Sequence, residues 1–334
     1  MNKAIVIAGP TGVGKTKISI DLASELNAEI ISSDSAQVYK GLNIGTAKIT
    51  EKEMQGIKHH LIDIIEPISK YSVGNFEKDV NKILNQNPEK NFLLVGGTGL
   101  YINSVTNGLS ILPEADKKTR EYLSTLDNQA LFELAIKYDE EATKEIHPNN
   151  RVRLERVVEV FLLTGQKFSE LSKKNIKNNK FKFLKIVLER DRENLYDRIN
   201  KRVDIMFEQG LVDEVKNLYK IYGEKLYKLN IIGYNEIIDY INGVISLDEA
   251  NYKIKLNSRH YAKRQFTWFK VDKEYQWFNL DRISEQEIVK SIYKMFNIKA
   301  WFNTFYMILL KGRGVYYEKN YITYCNDFFI NIML

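Results

Sequence analysis

A phosphate-binding loop lies at the start of the chain. Residues 9–16 read GPTGVGKT and fit the pattern G-x-x-x-x-G-K-[ST]. They follow an apolar run at 4–8 and precede a helical pattern, which is the strand–loop–helix context that the motif requires. Backbone N–H groups of such a loop and the positive end of the following helix bind phosphate oxygens. The predicted phosphate-binding residues are Gly9, Pro10, Thr11, Gly12, Val13, Gly14, Lys15 and Thr16.

Two side chains of this loop have predicted roles of their own. The Lys15 ammonium can reach the distal phosphate, and the Thr16 hydroxyl can bind Mg²⁺. Nucleotide-hydrolysing proteins usually add a carboxylate at the end of a second strand. The best later strand, Asn91–Val95, ends in a Gly-Gly-Thr-Gly turn at 96–99 without an acid. The chain therefore predicts a diphosphate site for a chemistry other than that of motors and switches.

The composition is that of a globular protein with a mildly basic balance. Hydrophobic residues make up 44% and charged residues 28% of the 334 residues, and the net charge is +6. The positive charge favours an anionic partner without identifying it. No apolar stretch reaches the roughly 18–20 residues that span a bilayer. The N-terminus enters the first predicted strand directly, so we expect no signal peptide, no membrane partner and a cytoplasmic location.

Residue types that bind soft metals are scarce. The single Cys325 excludes an intramolecular disulfide and a multi-cysteine zinc site. His59 and His60 are adjacent, and adjacent residues of a strand point to opposite faces. We therefore expect structural hydrogen bonds from these two imidazoles, and Mg²⁺ as the cofactor.

The first 112 residues alternate between strand and helix patterns, which predicts an α/β fold with a parallel sheet flanked by helices. The predicted strands are Lys3–Ala8, Glu29–Ser33, Leu61–Ile65 and Phe92–Val95. The predicted helices are Lys15–Leu26, Val73–Gln86 and Leu100–Thr106. Ligands bind beyond the carboxyl ends of such strands. The phosphate loop, Asp34 and the turn at 96–99 are therefore expected to share one crevice.

A mostly helical insertion domain is predicted at about 113–180. Its helical patterns are Glu114–Leu126, Gln129–Tyr138, Glu140–Ile146 and Arg151–Leu163, and a lysine-rich link follows at 173–180. The catalytic core would thus comprise 1–112 and about 181–297, where a returning strand at Phe181–Glu189 precedes further helices. The segment at about 298–334 is rich in Tyr, Phe and Asn, and we assign it as a tail without a role.

Asp34 is the only acid well placed at a strand end. A carboxylate there could support Mg²⁺ or accept a proton from a nucleophile. It could also serve only as a turn or helix cap, as Asp often does. The residue pattern leaves these three roles open.

Basic residues recur at helical spacing. Arg153 and Arg156 share one helix face, as do Arg198 and Arg202. Such faces suit RNA phosphates or a diphosphate, because guanidinium groups match phosphate oxygens, but they are also common on solvated surfaces. The segment 259–270 reads RHYAKRQFTWFK, and it fits either RNA contact or a helix with core aromatics.

Taken together, these segments resemble the bacterial tRNA dimethylallyltransferases, also called tRNA isopentenyltransferases, which prenylate adenosine 37 of tRNA. The resemblance covers residue 3 to about 297. The matching stretches are GPTGVGKT at 9–16, DSAQVYKGLNIGTAK at 34–48, HHLIDI at 59–64, LVGGTGLY at 94–101, IHPNN at 146–150, RLERVVEV at 153–160, GLVDEV at 210–215, IIGYNEI at 231–237 and YAKRQFTWFK at 261–270.

The resemblance implies a reaction and three catalytic residues. The phosphate loop would hold dimethylallyl diphosphate rather than ATP, and Asp34 would take a proton from the adenine N6 amine. Thr98 would orient the adenine. An arginine of the 198–202 helix would contact the diphosphate; we favour Arg202, and Arg198 remains open.

The resemblance also implies tRNA as partner, with the insertion contacting the anticodon arm, and a monomeric enzyme. The implied tRNA contacts are Asp34, Ser35, Ala36, Gln37, Thr98, Arg120, Val152, Arg153, Leu154, Glu155, Arg156, Arg259, Lys263 and Arg264.

Two positions depart from the family pattern, and two other functions remain as alternatives. Asn150 stands where the family usually has Asp, and Ser258 where it usually has Thr. A small-molecule or nucleotide kinase would use the same loop with Asp34 as base for a hydroxyl, and would normally add a lid of arginines. A non-catalytic RNA-binding ATPase is the second alternative, and the missing acid after Val95 argues against it.

Overall fold

A computed structural model describes residues 3–174 and 181–297 of the chain. Most of the predicted lysine-rich link and the whole predicted tail lie outside the described residues. The chain divides into two units between Ser284 and Glu285, and the predicted insertion belongs to the first of them. In the second unit, residues 285–297 are helical. Within the described residues, no helix is both long and apolar enough to cross a membrane.

The first unit is built on a six-stranded sheet in which every pair of neighbours is parallel. The strand order is β3-β2-β4-β1-β5-β6. The strands are β1 Lys3–Ala8, β2 Ala28–Ser33, β3 His59–His60, β4 Asn91–Gly96, β5 Lys182–Glu189 and β6 Gln276–Asn279. Central β1 is apolar and buried because helices cover both faces of a parallel sheet. The predicted α/β class is confirmed.

Helices connect the strands and build the rest of the unit. Their bounds are α1 Lys15–Leu26, α2 Glu51–Met54, α3 Val73–Gln86, α4 Gly99–Thr106, α5 Lys117–Ser124, α6 Asn128–Thr143, α7 Arg151–Thr164, α8 Phe168–Lys174, α9 Arg192–Glu208, α10 Leu211–Tyr222, α11 Glu224–Tyr227, α12 Tyr234–Ile241 and α13 Leu247–Val271. Helix α1 follows the phosphate loop directly, so its N-terminus faces the end of the sheet where β1 stops.

Helices α5–α8 lie within the predicted insertion, and their buried side chains form a hydrophobic cluster. Helix α6 is interrupted at Asp139, where the backbone leaves helical geometry, close to the predicted boundary between two helices. The Asp139 carboxylate accepts hydrogen bonds from the Ala142 N–H and from Ser169. Asn150 caps α7 by accepting from the Arg153 N–H at 3.4 Å, so the departure from the family's Asp keeps a capping side chain.

A second hydrophobic core lies among helices α10, α12 and α13. Its fully buried members include Leu211, Val215, Tyr234 and Ile237, and Leu42 from the loop after β2 packs into it. This contact brings the segment after Asp34 against helices that lie far away in sequence.

The predicted strand Leu61–Ile65 is wrong. The strand is His59–His60, and Leu61 and Asp63 have left-handed φ angles of 62° and 54°, which end the extended conformation. The two histidines make structural hydrogen bonds, as predicted, to the Ile57 carbonyl and to Glu29.

Candidate active site

The phosphate loop has the backbone that its glycines predict. Gly9 and Gly14 have φ angles of 149° and 112°. A Cβ on Gly9 would lie 2.6 Å from the Leu188 carbonyl oxygen, so only glycine fits between the loop and β5. The Lys15 ammonium donates to the carbonyl oxygens of Gly9 and Pro10, both at 2.9 Å. The lysine is therefore folded over the loop, where a bound phosphate would meet it.

Three side chains from later in the chain make hydrogen bonds to the backbone of the phosphate loop. Gln265 on α13 accepts from the Thr11 N–H and donates to the Gly97 carbonyl, both at 2.9 Å. Arg198 donates to Gly12 O at 2.9 Å, and Arg190 donates to Val13 O at 3.0 Å. Gln265 thus ties the phosphate loop to the turn after β4. The segment 259–270 was predicted to contact RNA or to pack in the core, but no role was predicted for Gln265 itself. Arg190 was not predicted at all.

Two cations at the loop have lowered pKa values because burial removes water from their charged groups. Burial lowers the pKa of the Lys15 ammonium to about 8; the Asp34 carboxylate opposes this shift and Arg202 adds to it. Burial also lowers the pKa of the Arg202 guanidinium, with Asp34 opposing and Arg198 adding to the effect. An anionic ligand would relieve both penalties, because it supplies the negative charge that water supplies elsewhere.

Asp34 follows β2 and lines the cavity beside the loop. Its Oδ1 atom accepts from the Ala36 N–H at 2.9 Å and from the Gln37 N–H at 3.4 Å. The capping role is therefore observed, and the electrostatic coupling of the same carboxylate to Lys15 and Arg202 places it in the site as well.

Thr98 stands across from Asp34 at the end of the neighbouring strand, since Ser33 of β2 pairs with Gly96 of β4. The Thr98 Oγ1 atom accepts from the Ser35 N–H at 3.1 Å, and the Thr98 N–H donates to the Ser33 carbonyl at 3.2 Å. The structure thus brings two predicted catalytic residues together at adjacent strand ends.

Beside these groups opens a cavity of about 570 Å³. Its polar lining includes Thr11, Asp34, Arg202 and Tyr261. Burial and the Asp34 charge raise the pKa of the Tyr261 phenol to about 12, so this side chain is a neutral hydrogen-bonding group. The apolar part of the lining, called the apolar wall below, comprises side chains of Ile199, Val203, Met206, Ile231, Ile232 and Ile254.

The apolar wall was not predicted. Ile199 and Val203 lie one residue after Arg198 and Arg202, so the same helix, α9, presents cations and apolar groups to the site. The remaining wall comes from the loop before α12 and from α13. The signal available in the sequence was the stretch IIGYNEI at 231–237, which matched the family and had no assigned role.

The residues at the loop fit a Mg²⁺ ion that shares its coordination with ligand phosphates. Thr16 is an exposed residue at the start of α1, and the Asp34 carboxylate interacts electrostatically with the adjacent Lys15. Within residues 3–174 and 181–297, no three His, Cys, Asp or Glu side chains gather into a closed metal site. One or two protein oxygens plus phosphate and water are the usual Mg²⁺ environment.

The predicted tRNA contacts separate into exposed and paired groups. Val152 and Arg153 on α7 and Lys263 and Arg264 on α13 are exposed, as is Ser35 beside Asp34. These positions can meet a large ligand without rearrangement.

Other predicted contacts already have protein partners. Arg120 and Arg156 both bind Glu159, whose side chain is only 1% exposed, and Arg156 also donates to the Pro113 carbonyl at 2.7 Å. Glu155 pairs with Arg151, and Arg259 donates to Asn200.

Leu154 corrects the prediction. Its side chain is 0% exposed and packs inside the core of the insertion, because position 154 faces the other helices of α5–α8 rather than solvent. It supports the helix that carries Arg153 and does not itself present a side chain to a ligand.

A phosphate loop, two half-buried cations and a partly apolar cavity at the ends of parallel strands define a P-loop protein. A family model described as IPP transferase matches residues 37–272 of the chain. A curated tRNA dimethylallyltransferase of Fusobacterium nucleatum subsp. nucleatum is 89% identical over 300 residues, which cover 90% of this chain and 99% of that protein. The chain belongs to the IPP transferase family.

Solved structures agree with this assignment. A tRNA isopentenylpyrophosphate transferase from Staphylococcus epidermidis is 39% identical with a TM-score of 0.66, and the match covers 90% of this chain and 100% of that chain. The corresponding protein from Bacillus halodurans is 39% identical with a TM-score of 0.69, covering 91% and 100%. A eukaryotic dimethylallyltransferase acting on tRNA is 29% identical with a TM-score of 0.74, covering 86% and 78%. The resemblance identified from sequence is confirmed.

Proposed function

We propose that this chain transfers a dimethylallyl group from dimethylallyl diphosphate to N6 of adenosine 37 in tRNA and releases diphosphate. The observation that carries the proposal is the cavity in which a cationic phosphate loop, the Asp34–Thr98 pair and an apolar wall meet. A diphosphate, an adenine and a prenyl chain need these three environments. The family relatives named above support the same reaction.

The main task of the protein in this reaction would be to stabilise the negative charge that develops on the diphosphate leaving group. The loop N–H groups, the Lys15 ammonium and the Arg202 guanidinium lie where a diphosphate would bind, and they would stabilise the negative charge as the allylic C–O bond breaks. Mg²⁺ bound through Thr16 and the phosphates would supply further charge neutralisation. The apolar wall formed by Ile199, Val203 and Ile231 would contact the prenyl chain and exclude water.

The nucleophile is the weakly basic N6 amine of adenine. In the proposed step the nitrogen lone pair forms the new C–N bond, the electrons of the C–O bond leave with diphosphate, and Asp34 accepts the amine proton. Thr98, held by Ser35 and placed beside Tyr261, would orient the adenine. The base must first leave the stacked anticodon loop.

The exposed cations of α7 and α13 are the proposed docking surface for the anticodon arm. Arg153, Lys263 and Arg264 would contact phosphates, and Arg259 would adjoin them on α13. We further propose that the protein acts as a monomer in the cytoplasm.

Mass analysis of tRNA tests the proposal. Unmodified tRNA with adenosine at position 37 is incubated with the protein, Mg²⁺ and dimethylallyl diphosphate, and a transcript with guanosine at 37 serves as control. The expected result is the mass of one dimethylallyl group on the adenosine-37 tRNA alone. ATP turnover at an ordinary enzymic rate without prenyl transfer would contradict the proposal and favour a kinase or an ATPase.

A further inference from the structure

Glu214 on α10 accepts four hydrogen bonds, three of them from consecutive backbone N–H groups of a distant loop. Its Oε2 atom accepts from Asn43 N at 3.1 Å and Ile44 N at 2.8 Å. Its Oε1 atom accepts from Gly45 N at 3.1 Å and from the Tyr234 hydroxyl at 2.6 Å. Hydrogen bonds to an ionised carboxylate are stronger than those between neutral groups. One side chain therefore fixes a loop that lies about 170 residues earlier in the chain.

Tyr234 contacts both Glu214 and the loop that Glu214 holds. Its side chain is fully buried, and burial together with the Glu214 charge raises the pKa of its phenol, so the hydroxyl stays a donor. A Cβ built on Gly45 would lie 2.6 Å from the Tyr234 ring. The loop is thus seated on the ring and bonded to the carboxylate, and Gly45 permits the close approach.

The anchored loop also forms part of the active site. Gly45 and Thr46 line the cavity. The Ala47 carbonyl accepts from Arg202 Nη2 at 3.4 Å, and the carbonyls of Thr46 and Ala47 accept from Gln37 Nε2 at 3.4 and 3.5 Å. Ala47 has a left-handed φ of 44°, which costs a non-glycine residue free energy and requires contacts that hold it.

We propose that Glu214, together with Tyr234, is a positioning residue for the diphosphate end of the site. The inference rests on the proposed function for its substrate. Glu214 sets the loop 43–47, the Ala47 carbonyl of this loop holds the Arg202 guanidinium, and Arg202 then meets the diphosphate. Glu214 is not among the residues that line the cavity and acts through the loop and Arg202, so its effect should appear in donor binding rather than in tRNA binding.

The test compares two isosteric variants, Glu214→Gln and Glu224→Gln. Glu224 is the matched control because it also accepts a tyrosine hydroxyl, that of Tyr219 at 2.7 Å, and it is exposed away from the cavity. Glu214→Gln replaces one acceptor oxygen by an N–H donor that faces other donors. The measurements are the KM of dimethylallyl diphosphate, the KM of tRNA, the melting temperature and the Kd of inorganic diphosphate by calorimetry.

The expected result for Glu214→Gln is a rise of roughly tenfold in the donor KM and in the diphosphate Kd, the size of effect that loss of a charge-assisted hydrogen bond produces. The tRNA KM should stay within about twofold of the parent, and Glu224→Gln should match the parent in all values. A lowered melting temperature with unchanged donor KM and diphosphate Kd would overturn the proposal and leave Glu214 as support for the fold alone.

Tyr234→Phe keeps the test decisive if Glu214→Gln does not fold. It retains the ring beneath Gly45 and removes only the hydroxyl, so a rise of about two- to fivefold in the diphosphate Kd is expected. An unchanged Kd in a folded Tyr234→Phe protein would contradict the proposal. Failure of the proposed function can be distinguished from failure of the Glu214 proposal, because in the first case the parent protein would bind diphosphate without transferring a prenyl group.

Discussion

The cations at the phosphate loop and Arg120 of the insertion have opposite pKa shifts. Burial lowers the pKa of Lys15 and of Arg202. In the insertion, the hydrogen bonds to Glu159 raise the pKa of Arg120. Both regions hold positive charge near the start of a helix or on its face, and the sequence presented both as anion-binding candidates.

The difference lies in whether the protein supplies the anion. Glu159 is buried between Arg120 and Arg156, and it also accepts from the Asp116 N–H at 3.0 Å. Arg120 and Arg156 therefore already have a carboxylate partner within the fold. Lys15 and Arg202 instead donate to backbone carbonyl oxygens. The carboxylates of Asp34 and, for Arg202, Glu53 offset only part of the effect of burial on the two pKa values, so an anionic ligand would stabilise the two charges further. A lowered pKa at a cation thus marks a site that gains from binding an anion.

Replacing Asp34 should have the largest effect on the phosphate-loop side of this contrast. If Asp34 accepts the N6 proton, Asp34→Asn should lower the single-turnover transfer rate by about 10²–10⁴ with donor affinity nearly unchanged. If the carboxylate supports Mg²⁺ instead, donor affinity should fall and added Mg²⁺ should partly restore activity. A full-rate variant that loses only about 1 kcal/mol of stability would reduce Asp34 to the cap that its Ala36 bond shows.

Arg156→Gln tests whether the ion pairs of Glu159 stabilise the insertion. The change removes the hydrogen bonds to Glu159 and to the Pro113 carbonyl and leaves the buried carboxylate with fewer donors. Arg120 remains as a partner, so we expect a loss of about 1–3 kcal/mol in the free energy of unfolding. Chemical denaturation measures this loss, with the exposed Arg153→Gln as control. Equal stability of the two variants would show that the Glu159 cluster does not stabilise the insertion.

The lowered pKa of Lys15 predicts a pH dependence of donor binding. The folded pKa of about 8 lies below the ordinary 10.5, so the free protein loses the ammonium charge as pH rises through 8. Diphosphate affinity should be highest below pH 8 and should fall by up to about tenfold per pH unit above it, with proton uptake on binding. The unliganded fold should gain stability between pH 8 and 10.5, because the unfolded chain binds the proton more tightly there.

Calorimetry in buffers of different ionisation enthalpy measures the proton uptake. Lys15→Arg is the control, since a guanidinium stays charged throughout this range. Equal diphosphate affinity of the parent at pH 7 and pH 9 would contradict the pKa shift and remove the contrast with the insertion.

The smallest expected effect concerns the exposed cations. tRNA affinity should fall with salt, with a log–log slope of about −0.7 to −0.9 for each phosphate contacted. Arg153→Gln should flatten the slope by one such contact, and Arg156→Gln by less, because Arg156 is held by Glu159. Filter binding across a salt series measures both slopes. A parent slope near zero would show that these faces are solvated surface only.

The elements that the sequence predicted well are those set by local patterns. The bounds of β1, α1 and α3 agree with the predictions, because apolar periodicity and capping residues such as Ser72 act within one segment. The predicted strand at 61–65 failed because the backbone is left-handed at Leu61 and Asp63, and this segment bonds to the carbonyls of Gln37 and Val38, which lie earlier in the chain. The short strand β6 was missed because four residues at a sheet edge give little periodicity.

The site shows the same division. Motif residues gave the phosphate loop, Asp34 and Thr98, and the structure places them at neighbouring strand ends. The apolar wall, by contrast, joins α9, the loop before α12 and α13, whose side chains meet only after folding. Gln265 and Glu214 belong to matched stretches, yet their partners lie 254 and about 170 residues away.

The sequence by itself determined the α/β class, the phosphate loop and the family, because each depends on residues close together in the chain or on an ordered set of motifs. Only the tertiary structure decided which cations already bind a carboxylate, which apolar side chains line the cavity and that Leu154 points inward. These properties depend on burial and on partners distant in sequence. Burial sets the pKa of Lys15, and Glu159 binds Arg120 from 39 residues away, through contacts that no local pattern contains.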